Sequence, residues 1–86
     1  MPTISVFFGI FIRMYYDDHN PPHFHAYYGD FQAIIAIETL EILDGTLPKR
    51  ARAMVVEWAL EHRHELLEDW KLAEQHQPLK GIAPLE

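Results

Sequence analysis

The hydrophobic pattern of this chain changes period at Pro48, and that change limits the fold more than any other feature. Ahead of it, Ile10, Ile12 and Met14 alternate with Phe11, Arg13 and Tyr15, and Ile4, Val6 and Phe8 alternate with Thr3, Ser5 and Phe7. Alternation rich in β-branched and aromatic residues marks half-buried strands. Gly9 is the natural hinge of a hairpin between these two. A third strand is expected over 23–28, closed by a turn at Gly29-Asp30. Residues 32–37 and 40–43 read as two more short strands with a bend at Glu38-Thr39, and Asp44-Gly45 then turns the chain. Ile34, Ile35, Ile37 and Leu40 also suit a helix, but three isoleucines in four residues between turn residues favour strand.

Past Pro48, which suits the first turn of a helix, the apolar positions are Ala51, Val55, Trp58, His62, Leu66, Trp70 and Ala73. Steps of three and four place them on one helical face, with Glu57, Glu61, Glu65, Glu68 and Lys71 on the wetter side. The expected architecture is α+β: an antiparallel β-meander of four to five short strands, then one long C-terminal helix packed on the sheet. Residues 1–86 form a single domain, divided into a β-rich part (1–47), the helix (48–76) and an irregular tail (77–86). Leu79, Ile82 and Leu85 make that tail apolar enough to dock on the sheet or on a partner.

Composition narrows the functional classes. There is no cysteine, hence no disulfide, thiolate nucleophile or zinc–thiolate site. No apolar run approaches the roughly 20 residues of a membrane span, and Met1-Pro2-Thr3 lacks the start of a signal peptide, so a soluble cytoplasmic protein with no membrane partner is expected. The formal net charge of −6 opposes a broad polyanion-binding surface. Among the acids, only Asp17 and Asp18 precede Gly29.

Those two acids open the run Asp17-Asp18-His19-Asn20-Pro21-Pro22-His23-Phe24-His25, which holds half of the six histidines. Histidine titrates near neutral pH and is the commonest metal ligand. On a strand, His23, His25 and Tyr27 share one face. One reading is a divalent-metal centre of His19, His23 and His25, with Asp18 as a further ligand or as the carboxylate orienting a histidine; three nitrogens and an oxygen suit zinc, manganese or iron. A second reading is metal-free acid–base catalysis by the same histidines, as RNA cleavage requires. In a third, the cluster only shapes a loop. The conformation of Asn20-Pro21-Pro22 decides whether the histidines meet.

An anionic transition state would need a cation or oriented N–H groups. Arg13 is one candidate, and Lys49, Arg50 and Arg52 at the helix start form another, despite opposing the helix dipole. Alternatively those three make a solvated basic turn. His62 is expected to be a partly buried histidine bonded to backbone or a nearby acid, or else to reach the sheet and join His23 or His25. His64 and His76 fall off the stripe.

Met1 to Ser5, Phe7-Phe8-Gly9-Ile10, the block Met14-Tyr15-Tyr16 through His25-Ala26, Leu47-Pro48, Glu57-Trp58, His62-Arg63, Trp70 and the closing Pro78-Leu79 and Pro84-Leu85 together resemble the domain of unknown function 4160 family. Asp69 stands where Asn is expected in that family, and Phe31-Gln32 where acidic or aromatic residues are usual. The resemblance implies a small prokaryotic cytoplasmic protein whose gene often neighbours a second small gene, as in toxin–antitoxin pairs. It therefore implies a cognate small protein as partner, with RNA as the target if this is the toxin half. A homo-oligomer is a further expectation. The resemblance carries over no catalytic residue. The two enzymatic readings of the histidine cluster are a His-dependent ribonuclease and a metal-dependent hydrolase.

Overall fold

A computed structural model describes residues 2–86 and has the α+β architecture expected. Five strands, β1 (Thr3–Phe7), β2 (Ile10–Arg13), β3 (His23–Tyr28), β4 (Phe31–Ala36) and β5 (Ile42–Thr46), form one antiparallel sheet in chain order. A single helix, α1 (Lys49–Glu74), covers one face. Among the described residues no helix is long and apolar enough to cross a membrane.

The hairpins follow from local backbone chemistry. Phe8 and Gly9 both have positive φ, +48° and +79°, the requirement of a two-residue turn between twisted strands. Alternation then sorts the faces: Ile10, Ile12, Phe24, Ala26, Ala33 and Ile35 are buried under the helix. Phe11, Arg13, His25, Tyr27, Gln32 and Ile34 line the opposite face in matching register.

The sequence reading needs correction in two strands. In β1 the expected alternation fails because the register with β2 slips between Thr3 and Ser5. That bulge puts Ile4 and Ser5 both inward, so Phe7 is buried while Val6 and Phe8 are exposed. In the fifth strand, Asp44 and Gly45 do not turn the chain. They pair with Ile34 and Ala33 inside β5, and the strand runs on to Thr46. Gly45 allows this because it sits at φ +81°, and a Cβ there would lie 2.2 Å from the carbonyl oxygen of Gln32. Asp44 accepts the Gly45 N–H at 3.0 Å, using turn chemistry inside a strand.

The helix stripe is buried as expected apart from His62, which is half-buried, and Ala59 and Asp69 join it. Trp58 is fully buried between Phe7 and Phe24, at ring separations of 5.3 and 6.0 Å. At His62 the helix is kinked, with φ −121° and ψ 19°. His62 does not reach His23 or His25. It packs 5.6 Å from Trp58 and hydrogen-bonds Glu65 one turn on, while Arg63 donates to the Ile37 carbonyl.

The tail docks on its own fold. Ile82 N–H donates to Ile4 O at 2.7 Å, Trp58 Nε1 to Ala83 O at 2.8 Å, and Lys80 N–H to Asp69 Oδ1 at 2.8 Å. The tail thereby satisfies a β1 edge carbonyl that would otherwise invite pairing with another chain. Asp69 is 1% exposed and its Oδ2 has no partner among the described residues. Burial pushes its carboxyl above the usual carboxylate range, although the Lys80 N–H pulls the other way.

Two stability predictions follow from these contacts. Gly45→Ala forces a strained φ against the Gln32 backbone, and should cost at least about 1–3 kcal/mol in urea denaturation. Asp69 has a folded pKa raised above its unfolded value, so its favourable contribution is complete below pH ~4 and is lost as pH rises through the raised value. Asp69→Asn keeps the acceptor for Lys80 and should therefore stabilise the protein at pH 7 by about 1–3 kcal/mol. That gain should shrink towards pH 4.

Candidate functional site

The site forms where the loop 14–22 folds back over the start of β3. Two carbonyls tie the double-proline segment down: Pro22 O accepts the Ile37 N–H at 3.0 Å, and Pro21 O bonds His23 Nδ1 at 2.7 Å. The Asn20–Pro21 peptide bond is cis. The other end of the loop is fastened to the helix terminus. His76 Nε2 lies 2.9 Å from Asp17 Oδ1, Tyr16 stacks on His76, and Tyr16 Oη donates to Gln77 O.

Between these anchors Asp18 points at the sheet. One of its oxygens, Oδ2, lies 2.9 Å from His23 Nε2 and 3.2 Å from His25 Nε2. His23 is buried, with Trp70 of the helix 5.1 Å from its ring. His25 is half-buried against the edge of Tyr15 at 4.5 Å. The donor atoms of Asp18, His23 and His25 all lie within 4.8 Å of one another, close enough to share one ion.

His19, expected as a third nitrogen ligand, stands apart from this group: its side chain is 91% exposed and its Nδ1 lies 3.7 Å from the other Asp18 oxygen. Arg13 is brought close, directly opposite His25 across β2 and β3. Its guanidinium lies over the Tyr27 ring at 5.0 Å, and its Nε donates to Thr3. Lys49, Arg50 and Arg52 are not brought to the cluster. Lys49 and Arg52 line a groove with Glu41 and Glu57, whereas Arg50 faces a hollow with Phe8 and Tyr28.

The electrostatics follow from the geometry. Burial alone would raise the Asp18 carboxyl, but hydrogen bonds from His25 and His23 and the charge of His23 outweigh it and hold it below the usual carboxylate range. Burial holds His25 below the ordinary imidazole value, against the pull of Asp18. A carboxylate and a neutral imidazole are the forms that bind metal. The tautomer of His23 is also fixed. Its Nδ1 must donate to the Pro21 carbonyl, so Nε2 is the nitrogen that meets Asp18, donating an N–H to the carboxylate or, with a cation between them, offering its lone pair.

Sequence reasoning missed two contributors, Tyr15 and Asp44, and put Tyr27 on the His25 face without giving it a role. Tyr15 and Tyr27 hydrogen-bond each other through their hydroxyls beside His25. Asp44 faces the same region from β5, lining the hollows on both sides of the cluster. Reading Asp44-Gly45 as a turn hid it. Had β5 been extended through Gly45, alternation would have put Asp44 on the His25 face.

The chain was compared with known proteins. The model of a family described as Domain of unknown function (DUF4160) matches residues 9–71, a span that includes Asp18, His23, His25 and Asp44. No curated protein and no solved structure matches the chain. Covering well over half of the sequence, the family match shows that the chain belongs to DUF4160.

The tyrosine pair yields a direct prediction. Burial and the hydrogen bond with Tyr15 push the Tyr27 hydroxyl up to about 12. In an alkaline titration followed at the phenolate absorbance, one of the four tyrosines should ionise about two pH units above the ordinary value near 10. Tyr15→Phe should bring that late step down.

Proposed function

For this member of the DUF4160 family we propose a divalent-metal-dependent hydrolase in which Asp18, His23 and His25 hold the ion. The observation that carries this reading is the convergence of the Asp18 oxygen and two imidazole Nε2 atoms, with the His23 tautomer fixed by the Pro21 carbonyl. A carbonyl on Nδ1 is the usual device that presents Nε2 of a ligating histidine. The spacing fits a shared ion as well as it fits the hydrogen bonds between these groups. Two ligands at ~2.0–2.1 Å from one ion, at about 90° to 109°, lie roughly 2.9–3.4 Å apart. The separations from Asp18 Oδ2 are 2.9 and 3.2 Å.

Two histidines and one carboxylate leave coordination positions open, as catalytic zinc and non-haem iron sites do. The ion would supply an activated water and polarise a substrate oxygen. Trp70 and the Pro21-Pro22 loop shield the His23 side from solvent, while His25 faces a hollow of about 270 Å³. Asp17, Tyr16 and His76 hold the loop that carries Asp18, and their part is positioning.

A second reading keeps the toxin–antitoxin-like role, with a cognate small protein as partner and RNA as target. Arg13 supports it, as a cation one strand from His25. Its test is co-purification with the neighbouring gene product and RNA cleavage that depends on His25.

The metal reading is checked by elemental analysis of untagged protein prepared without chelators and dialysed against zinc, manganese or ferrous iron. Wild type should hold close to one equivalent of one of these ions. Asp18→Asn and His23→Ala should each weaken binding more than about a hundredfold, whereas exposed His19→Ala should not. Wild type that stays empty in all three metals would end this reading.

A further inference from the structure

The surroundings of the cluster say what charge a substrate should carry. Two hollows flank Asp18, His23 and His25. One, of about 270 Å³, is lined chiefly by Tyr15, His25, Tyr27, Gln32 and Asp44. The other, of about 370 Å³, is lined chiefly by Asp18, His19, Pro21, His23 and Asp44. Asp44 and Ile34 are common to both.

The sheet register explains why. His25 pairs with Ile34, and Ile34 with Asp44, so the three side chains stand in a row on the open face. Backbones of next-but-one strands lie about 9.5 Å apart. Asp44 thus stands across the hollow from the proposed ion, with Ile34 as the apolar floor between them.

Neither hollow is lined by a lysine or arginine, although two carboxylates are present. Asp44 forms no ion pair among the described residues, and its one recorded hydrogen bond uses Oδ1 to accept the Gly45 N–H. An anionic ligand reaching Asp44 would meet uncompensated negative charge. A protonated amine would neutralise it.

We propose that the substrate is a small molecule bearing a protonated amine at one end and a carbonyl or hydroxyl oxygen at the other. The amine is bound by Asp44, and the oxygen faces the ion held by Asp18, His23 and His25. The second half of this statement rests on the metal reading above, and the first half does not. A hollow of this size suits a small molecule rather than a polymer. Arg13 lines neither hollow, and its side chain is engaged over the Tyr27 ring and with Thr3.

The test compares three probes on wild type and Asp44→Asn: 5-aminopentanamide, pentanamide and a hexauridylate oligonucleotide. Binding is followed by NMR through the Tyr15 and Tyr27 ring signals, on metal-loaded protein of measured metal content and again after chelation. Asparagine keeps the oxygen that accepts the Gly45 N–H, so the variant should fold. In wild type the amine should bind about tenfold or more tightly than pentanamide, with that preference lost in Asp44→Asn and hexauridylate binding weakest. The preference should survive chelation, while the contribution of the amide oxygen is lost. Equal binding of amine and pentanamide, an unchanged preference in Asp44→Asn, or tightest binding of hexauridylate would overturn the proposal. Loss of the metal reading alone would show as an intact preference for amine with the affinities of both 5-aminopentanamide and pentanamide unchanged by chelation.

Discussion

The indole of Trp58 is the contact on which the rest of the structure depends. It is fully buried, packs on Phe7 of β1 and Phe24 of β3, and donates its N–H to Ala83 of the tail. One side chain therefore joins helix, sheet and tail. An 86-residue chain without disulfides has little core to spare. Emptying a site occupied by a buried tryptophan typically costs about 3–5 kcal/mol, a large part of the stability of a domain this small. The N–H also needs a buried acceptor, and the Ala83 carbonyl provides it. With the bonds of Ile82 to Ile4 and Lys80 to Asp69, it fixes the path of the irregular last ten residues across the β1 edge.

The same arrangement reaches the candidate site. Trp70, three turns beyond Trp58, closes over His23, and the end of the helix grips the 14–22 loop through His76 with Asp17 and Gln77 with Tyr16. The Asp18 oxygen that meets both histidines is thus held from two sides, by the helix terminus and by the double-proline turn. Holding side chains within a fraction of an ångström by such supporting contacts is what a metal or catalytic centre needs. The sheet supplies the remainder. His25, Ile34 and Asp44 are set in line by register alone, a spacing no flexible loop would keep.

Much of this was legible in the sequence, and the failures have identifiable causes. The period change at Pro48 separated sheet from helix, and the alternation of β3 put His23 and His25 on one face. What it could not show was a slip in register. The β1 bulge reversed the positions of Val6 and Phe7 because period-two patterning loses its phase when one residue is inserted. Asp44-Gly45 carried every local mark of a turn, and only the close approach of the Gln32 backbone explains why a glycine belongs within β5. His19 looked like a ligand by proximity in sequence, whereas the loop turns its side chain to solvent. The pairing of Asp18 with both histidines depends on loop conformation at Asn20-Pro21-Pro22, which composition does not encode.

The account centres on two imidazole nitrogens and one carboxylate oxygen sharing an ion. X-ray absorption at the metal edge of the loaded protein addresses this most directly. The account predicts a first coordination sphere of two imidazole nitrogens and one or two oxygens at about 2.0–2.1 Å, with the outer-ring scattering of imidazole reduced by half in His25→Ala. A spectrum of oxygen ligands alone, unchanged by that substitution, would place the metal elsewhere and contradict the account.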